Sequence, residues 1–275
     1  MAAVQSVSST TFSSTSTVVV TKPSGLAVGD LMVAQIVGSS LSTPSGWTLI
    51  RSDNIASDPY STLFYKFADS TDTAASNFSF ALSGSSSAAG GILRIDGVSQ
   101  GRPIWADAGS TNQTDTDSPS FANTITPSIA SSIIIIFGST SQADTGNTVA
   151  TYALATSSPT FTEAWDTNNS NGTNVSKIMC CAYGTRTQTT ATGNSSFVIN
   201  AGGASNADSI GQIIAVTPTK DFSQLDTVSA VSTSSGSIVS TFLDTITTSD
   251  TVTTSKARLW TNLVRNLKTW TNTNR

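Results

Sequence analysis

Apolar residues in the first 218 positions come in short runs, and each run ends in a cluster of Gly, Ser, Pro or Asp. Thr17-Val-Val-Val20, Leu31 to Val37, Trp47 to Ile50, Leu63 to Phe67, Phe78 to Leu82 and Ile92 to Ile95 are of this kind. In Phe78-Ser-Phe80-Ala-Leu82 the large residues alternate, so they share one face of an extended chain. No stretch before Pro218 sustains a 3.6-residue period, and no helix is expected within residues 25–100. Runs of this length and spacing predict the strands of a sandwich or barrel. Leu31-Met-Val-Ala-Gln-Ile-Val37 is almost wholly apolar, which predicts a central strand covered on both faces. The expected fold class is all-β: an antiparallel, jelly-roll-like β-sandwich.

The runs recur in one order, which predicts a body built from two similar halves, about 1–110 and 111–218. The segment from Thr21-Lys-Pro to Val37 answers Thr126-Pro to Phe137, and Gly46-Trp-Thr-Leu-Ile answers Thr160-Phe-Thr-Glu-Ala-Trp165. Leu63-Phe-Tyr-Lys-Phe-Ala-Asp answers Ile178 to Gly184, Asn77-Phe-Ser-Phe-Ala-Leu answers Ser195-Ser-Phe-Val-Ile, and Ala88 to Val98 answers Ile210 to Pro218. The offset climbs from 104 at Pro23 and Pro127 to 114 at Trp47 and Phe161, then to about 118 and 121, as loop insertions would produce. Each half supplies four or five strands. A single sandwich is preferred over two domains, because half the chain alone buries little core.

Composition narrows the chemistry. Ser and Thr number 47 and 44 of 275 residues while charged residues are 11%, so neutral hydroxyls take over the solvating role of charge. There is no His, which removes the commonest general base and metal ligand. Glu163 is the only Glu, so a carboxylate pair would need Asp. Adjacent Cys180 and Cys181 would point to opposite faces of a strand as buried free thiols; a vicinal disulfide would be strained. Asp115 and Asp117 have half the spacing of a calcium loop but lack its later bidentate Glu, so a solvated loop is the simpler reading. Asp69 and Asp72 read as a turn with Asx caps. No Ser-x-x-Lys dyad or phosphate-cradling Gly loop is evident. Trp47, Trp105 and Trp165 are candidate sugar platforms, set against the plainer role of core or edge-capping aromatics. No catalytic residue, metal ligand or cofactor is expected, and the chain is read as a non-enzyme.

After Pro218 the pattern changes. Residues 219–255 are a Ser/Thr-rich extended linker holding the hexads Asp244-Thr-Ile-Thr-Thr-Ser249 and Asp250-Thr-Val-Thr-Thr-Ser255. The net charge is −4 overall, yet Lys256, Arg258, Arg265, Lys268 and Arg275 lie in a final segment without acids. Leu259, Trp260, Leu263, Val264, Leu267 and Trp270 form one stripe at helical spacing. Residues 256–275 are therefore expected to be a basic amphipathic helix for docking or oligomerisation, with Arg258, Arg265 and Lys268 beside the stripe. Folding back on the chain's own sandwich and lying on a membrane surface are its rivals. The acidic body argues against nucleic-acid binding, and neither a targeting segment nor a membrane span is expected.

Lys22-Pro-Ser-Gly-Leu-Ala-Val-Gly-Asp-Leu-Met-Val, Pro44-Ser-Gly-Trp-Thr-Leu-Ile, Leu63-Phe-Tyr-Lys-Phe-Ala and Gly91-Ile-Leu-Arg-Ile-Asp-Gly-Val-Ser follow one another, with Pro103-Ile104 close behind. This series resembles a β-sandwich module of structural proteins from tailed bacteriophages and their prophages. It covers residues 15 to 105 well and 120 to 218 more faintly, where the Gly-Asp and Gly-Trp pairs are missing. The hexads are similar to repeats of phage appendage proteins. The resemblance implies a virion structural protein made in the host cytoplasm, and it carries no catalytic residue. A head decoration or appendage is the leading expectation, a tail fibre or receptor-binding adhesin the alternative. A secreted carbohydrate-binding module is a further one. Expected partners are other virion proteins of capsid or tail, like copies of the chain (a homotrimer preferred), and a host surface glycan as a candidate; neither nucleic acid nor membrane is among them.

Overall fold

The computed structural model describes residues 1–219, apart from 56–58, 114–117, 143–147, 170–175 and 201–207. The linker beyond Thr219 and the 256–275 stripe lie outside the described residues, as do Asp115 and Asp117. The strands of the first half are β1 (Ala3–Thr21), β2 (Leu31–Gly38), β3 (Thr48–Asn54), β4 (Tyr60–Phe67) and β5 (Asn77–Asp96), with a one-turn helix α1 (Ser70–Ala74) before β5. The second half has β6 (Ile104–Asn112), β7 (Ser120–Phe121), β8 (Ser132–Gln142), β9 (Thr148–Leu154), β10 (Thr162–Asn169), β11 (Ser176–Arg186), β12 (Ser195–Asn200) and β13 (Asp208–Val216).

All pairings are antiparallel, and the strand order is the same in both halves. One five-stranded sheet runs β1-β5-β2-β4-β3, the other β6-β13-β8-β11-β10. The registers agree residue by residue. Val33 sits opposite both Tyr65 and Leu93, as Ile135 sits opposite Tyr183 and Ile214. Both edge strands carry an irregularity at the matching place, between Leu49 and Arg51 and between Glu163 and Trp165. The turn entering the middle strand is shared too. Gly29 at φ +91° donates its N–H to the Ala68 carbonyl, and Ser131 at φ +69° donates to the Arg186 carbonyl. The second half keeps this turn without its glycine, with a serine in the left-handed region. β6 opens the second sheet, so the border between sheets falls at residues 97–103, ahead of the 110/111 division read from sequence.

Long strands bend to make a second layer. β1 pairs with β5 over Ala3–Phe12 and again over Thr17–Thr21, with register shifts between. In the second half the same bend is a break, and β7, β12 and β9 form a separate three-stranded sheet. Gly90 and Gly211 lie where the returning strands cross the main sheets: a Cβ on Gly90 would come within 2.6 Å of Val18, and one on Gly211 would enter the Phe121 ring. Hydroxyls close the roll of the first half, with Ser6 and Ser8 donating to the carbonyls of Ser24 (2.8 Å) and Thr21 (2.6 Å).

Alternation along the middle strands divides the core. Leu31, Val33 and Val37 face Ile133, Ile135 and Phe137 in a cluster shared by the two five-stranded sheets. Met32, Ala34 and Ile36 face the first half's own second layer; Ile134 and Ile136 do the same in the second half. β2 is buried along its whole length, as its composition predicts. Cys180 and Cys181 are free, buried and turned into different clusters, and burial pushes both thiols up. Trp47 packs on Phe78 and Phe80 with ring centroids 5.8 and 5.3 Å apart.

Polar side chains join the two sheets inside this core. Trp165 donates its indole N–H to Gln35 Oε1 (3.2 Å), and Gln35 donates to the Gly138 carbonyl (3.0 Å). Ser61 donates to Gln212 Oε1 (2.8 Å), and Gln212 donates to Asp53 (2.6 Å). Arg51 clamps Asp53 in a fork and reaches Asp107 at 2.8 Å. Burial alone would lower the Arg51 pKa, but hydrogen bonds and charge from Asp53 and Asp107 outweigh it and raise it. Buried glutamines paired at every turn in this way satisfy their own desolvation cost.

Helix α1 departs from the sequence reading, which expected only a turn at Asp69 and Asp72 and no helix within 25–100. Asp69 Oδ1 accepts the Asp72 N–H, Asp72 Oδ2 accepts the Asp69 N–H, both at 2.9 Å, and the resulting capping box carries one helical turn. Lys66 adds an ion pair to Asp72 at 2.7 Å. The Asp72 N–H holds the Asp69 carboxyl below the ordinary carboxylate range, with help from the Lys66 charge. A folded-state value below the unfolded one means the cap is at full strength above the unfolded value and is lost as pH falls through the folded one. The Asp72 amide should therefore keep its hydrogen-exchange protection as pH falls through the usual aspartate range and lose it only below that. Loss at the ordinary aspartate value would refute this assignment.

Candidate functional site

Of the residues nominated from sequence, the docking stripe Leu259, Trp260, Leu263, Val264, Leu267 and Trp270, with Arg258, Arg265 and Lys268, lies outside the described residues. Two of the three candidate sugar platforms are core. Trp165 is buried over Gly91, where a Cβ would sit 2.7 Å from the ring, and Trp47 is buried in the first half. Trp105 is half-buried, and the Arg102 guanidinium covers its ring at 3.8 Å. None of the three offers a bare aromatic face. Among the described residues there is no group of three or more Cys, Asp or Glu side chains set to hold a metal ion, and no helix long and apolar enough to cross a membrane.

One concavity among the described residues is a cleft of about 480 Å³ in the second half, between β9, the loop 155–161 and the start of β10. Its origin is the longer connection between the second and third strands of that half. The first half crosses from β2 to β3 through residues 39–47 and makes one isolated bridge on the way, Leu41 with Leu82. The second half uses 143–161, long enough to add β9 to the small sheet against β12.

The cleft has distinct parts. Of its lining residues Leu154 and Pro159 are buried, and Tyr152 and Phe161 are half-buried. Thr151, Ser157 and Thr160 are exposed at the rim, and Glu163 is exposed beside them. No Lys or Arg is among the described residues that line it. Phe161 takes the place that Trp47 has in the first half, because Thr48 and Thr162 sit opposite equivalent tyrosines, Tyr65 and Tyr183. In the first half the indole is buried in its own core; in the second, the ring is half-buried, packed on the cluster of Leu154 and Ile136 and bordering the cleft. Burial raises the Tyr152 pKa, and the negative neighbours Glu163 and Asp166 raise it further, so the phenol stays neutral.

The loop wall is held from beneath. Arg186 is fully buried, with no carboxylate among its partners in the described residues. Its guanidinium donates to the carbonyls of Ser158 and Ala191 (3.0 Å to the latter) and to the hydroxyls of Thr156 (3.1 Å) and Thr190 (3.2 Å). Thr156 donates in turn to the Thr192 carbonyl at 2.8 Å, and Ala155 N–H to the Asn194 carbonyl at 2.9 Å. Burial lowers the Arg186 pKa, and an arginine remains charged through the ordinary pH range regardless.

The sequence reading did not single out Tyr152, Pro159 or Arg186. It noted Glu163 only as the lone Glu and Phe161 only as the counterpart of Trp47. One signal was present: the rise in offset from 104 to 114 between the proline and aromatic blocks marks the inserted residues that build the cleft. Neither a family model, nor a curated protein, nor a solved structure matches this chain.

Proposed function

We propose that the chain is a non-catalytic structural protein of a tailed-bacteriophage virion, a head decoration or appendage on the capsid surface. The observation that carries this reading is how the motif blocks interlock. Gly25, Gly29, Gly46 and Gly97, all within those blocks, have positive φ and make the turns that start or end strands. Asp30 of the Gly-Asp pair caps the Ala27 N–H at 2.8 Å and takes an ion pair from Arg94, in the last block, at 2.6 Å. The residues behind the resemblance thus form one folding unit, with roles only that geometry requires.

Two further features support the reading. A hydroxyl-rich surface with few charges costs little to desolvate, which suits permanent packing against neighbouring subunits. The basic, Leu- and Trp-bearing segment 256–275 is the proposed attachment element, and its charge is opposite to that of residues 1–220. A homotrimer is the proposed assembly. The cleft favours one second reading, an adhesive tail fibre or receptor-binding protein.

Immunogold labelling or cryo-electron microscopy of particles tests the station. The chain lacking residues 251–275 should fold with an unchanged melting temperature and fail to join particles or oligomers. Normal incorporation of that truncated chain would overturn the attachment role, and absence of the full chain from particles would overturn the virion assignment.

A further inference from the structure

We infer that the cleft between β9, the loop 155–161 and β10 is a binding site for an uncharged saccharide. The internal duplication supplies the comparison. Both halves have the same strand order, the same register and the same irregularity after the aromatic position. Only the second half has the inserted connection, and only there does the aromatic line an opening. At about 480 Å³ the opening is within the range of small-ligand sites.

The lining selects the ligand class. Glu163 can only accept hydrogen bonds, and the rim hydroxyls of Thr151, Ser157 and Thr160 both donate and accept. A ligand must therefore bring several donors of its own. The half-buried ring of Phe161 asks for an apolar face of ring size. A pyranose has both: hydroxyl donors around its edge and C–H groups on its face. An acidic sugar would meet the Glu163 carboxylate with no cation among the described lining residues to offset it. The Arg186 cage fixes the loop wall in advance, which cuts the ordering cost of binding.

The test uses the purified full chain and does not depend on its place in a particle, so its outcome is separable from that of the virion assignment. The chain is applied to an array holding neutral oligosaccharides (malto-, manno-, galacto- and chito-oligomers) and acidic ones (polysialate and polygalacturonate), and hits are measured by titration calorimetry. At least one neutral oligosaccharide should bind. Glu163→Gln should weaken it by about tenfold or more, since a hydrogen bond to a charged group is lost. Thr160→Trp, which fills the rim, should abolish binding. Both substitutions are at exposed positions and should leave the melting temperature unchanged. The inference is overturned if no neutral oligosaccharide binds, if acidic ones are preferred, or if binding survives both substitutions. Selection of an extended peptide along β9 in place of any sugar would overturn it equally.

Discussion

Arg186→Met should lower the melting temperature by roughly 6–20 °C. The side chain is fully buried, and its guanidinium serves carbonyls and hydroxyls from two separate stretches, 156–158 and 190–191. Methionine fills most of the volume but donates nothing to those acceptors, which belong to half-buried and exposed residues. A hydrogen bond to a charged group contributes about 1.5–3 kcal/mol, and several are lost together with water replacing part of them, so a total near 3–5 kcal/mol is expected. For a folded body of this size each kcal/mol is about 2–4 °C. Opposing this is relief from burying a charge, since Nε finds no acceptor among the described residues. The relief is the smaller effect, because the cation is already neutralised by a ring of oxygen dipoles. Arg186→Lys should fall between, as a single ammonium cannot span both stretches. A thermal scan showing Arg186→Met within about 2 °C of the parent would mean that the desolvation cost cancels the cage.

Gly211→Val should destabilise by about 3 kcal/mol, at the upper end for an overpacked core. Gly211 pairs with Gly138 in register, and the two make room for the Phe121 and Phe197 rings, whose centroids are 5.2 Å apart. Both rings are fully buried and have nowhere to turn. A branched side chain at 211 must push Phe121 outward and separate β7 from the sheet beneath it. Gly84→Ala is the control, since a Cβ there would meet nothing within 4 Å. Chemical denaturation should show a lowered midpoint for Gly211→Val and none for Gly84→Ala. Equal midpoints for Gly211→Val and the parent would refute the crowding argument.

Much of the fold was legible because its signals are local. The period-2 run of Phe78, Phe80 and Leu82 marks a one-sided strand, and the apolar run of β2 marks a two-sided one. Cys180 and Cys181 diverge as adjacent strand residues must. The offsets of 114, 118 and 121 between the halves are the same as the register spacings of Thr48 with Thr162, Leu63 with Cys181 and Gly91 with Gln212. Helix α1 was not legible, because one turn is too short to show a period; only its two aspartates marked the place.

Amino-acid order by itself determined which runs extend, where most turns fall and which apolar residues face inward, since these follow from side-chain alternation and from the backbone freedom of Gly. It also determined that the pattern occurs twice. Tertiary structure alone decided that the two middle sheets pack face to face, that Gln35, Ser61 and Gln212 bond across that contact, and that Arg186 is buried. Tertiary structure alone decided, too, that Phe161 lines an opening where Trp47 fills a core. These features depend on which groups meet across long separations in the chain. A polar residue in a strand gives the same sequence signal whether it meets water or a partner from the other sheet.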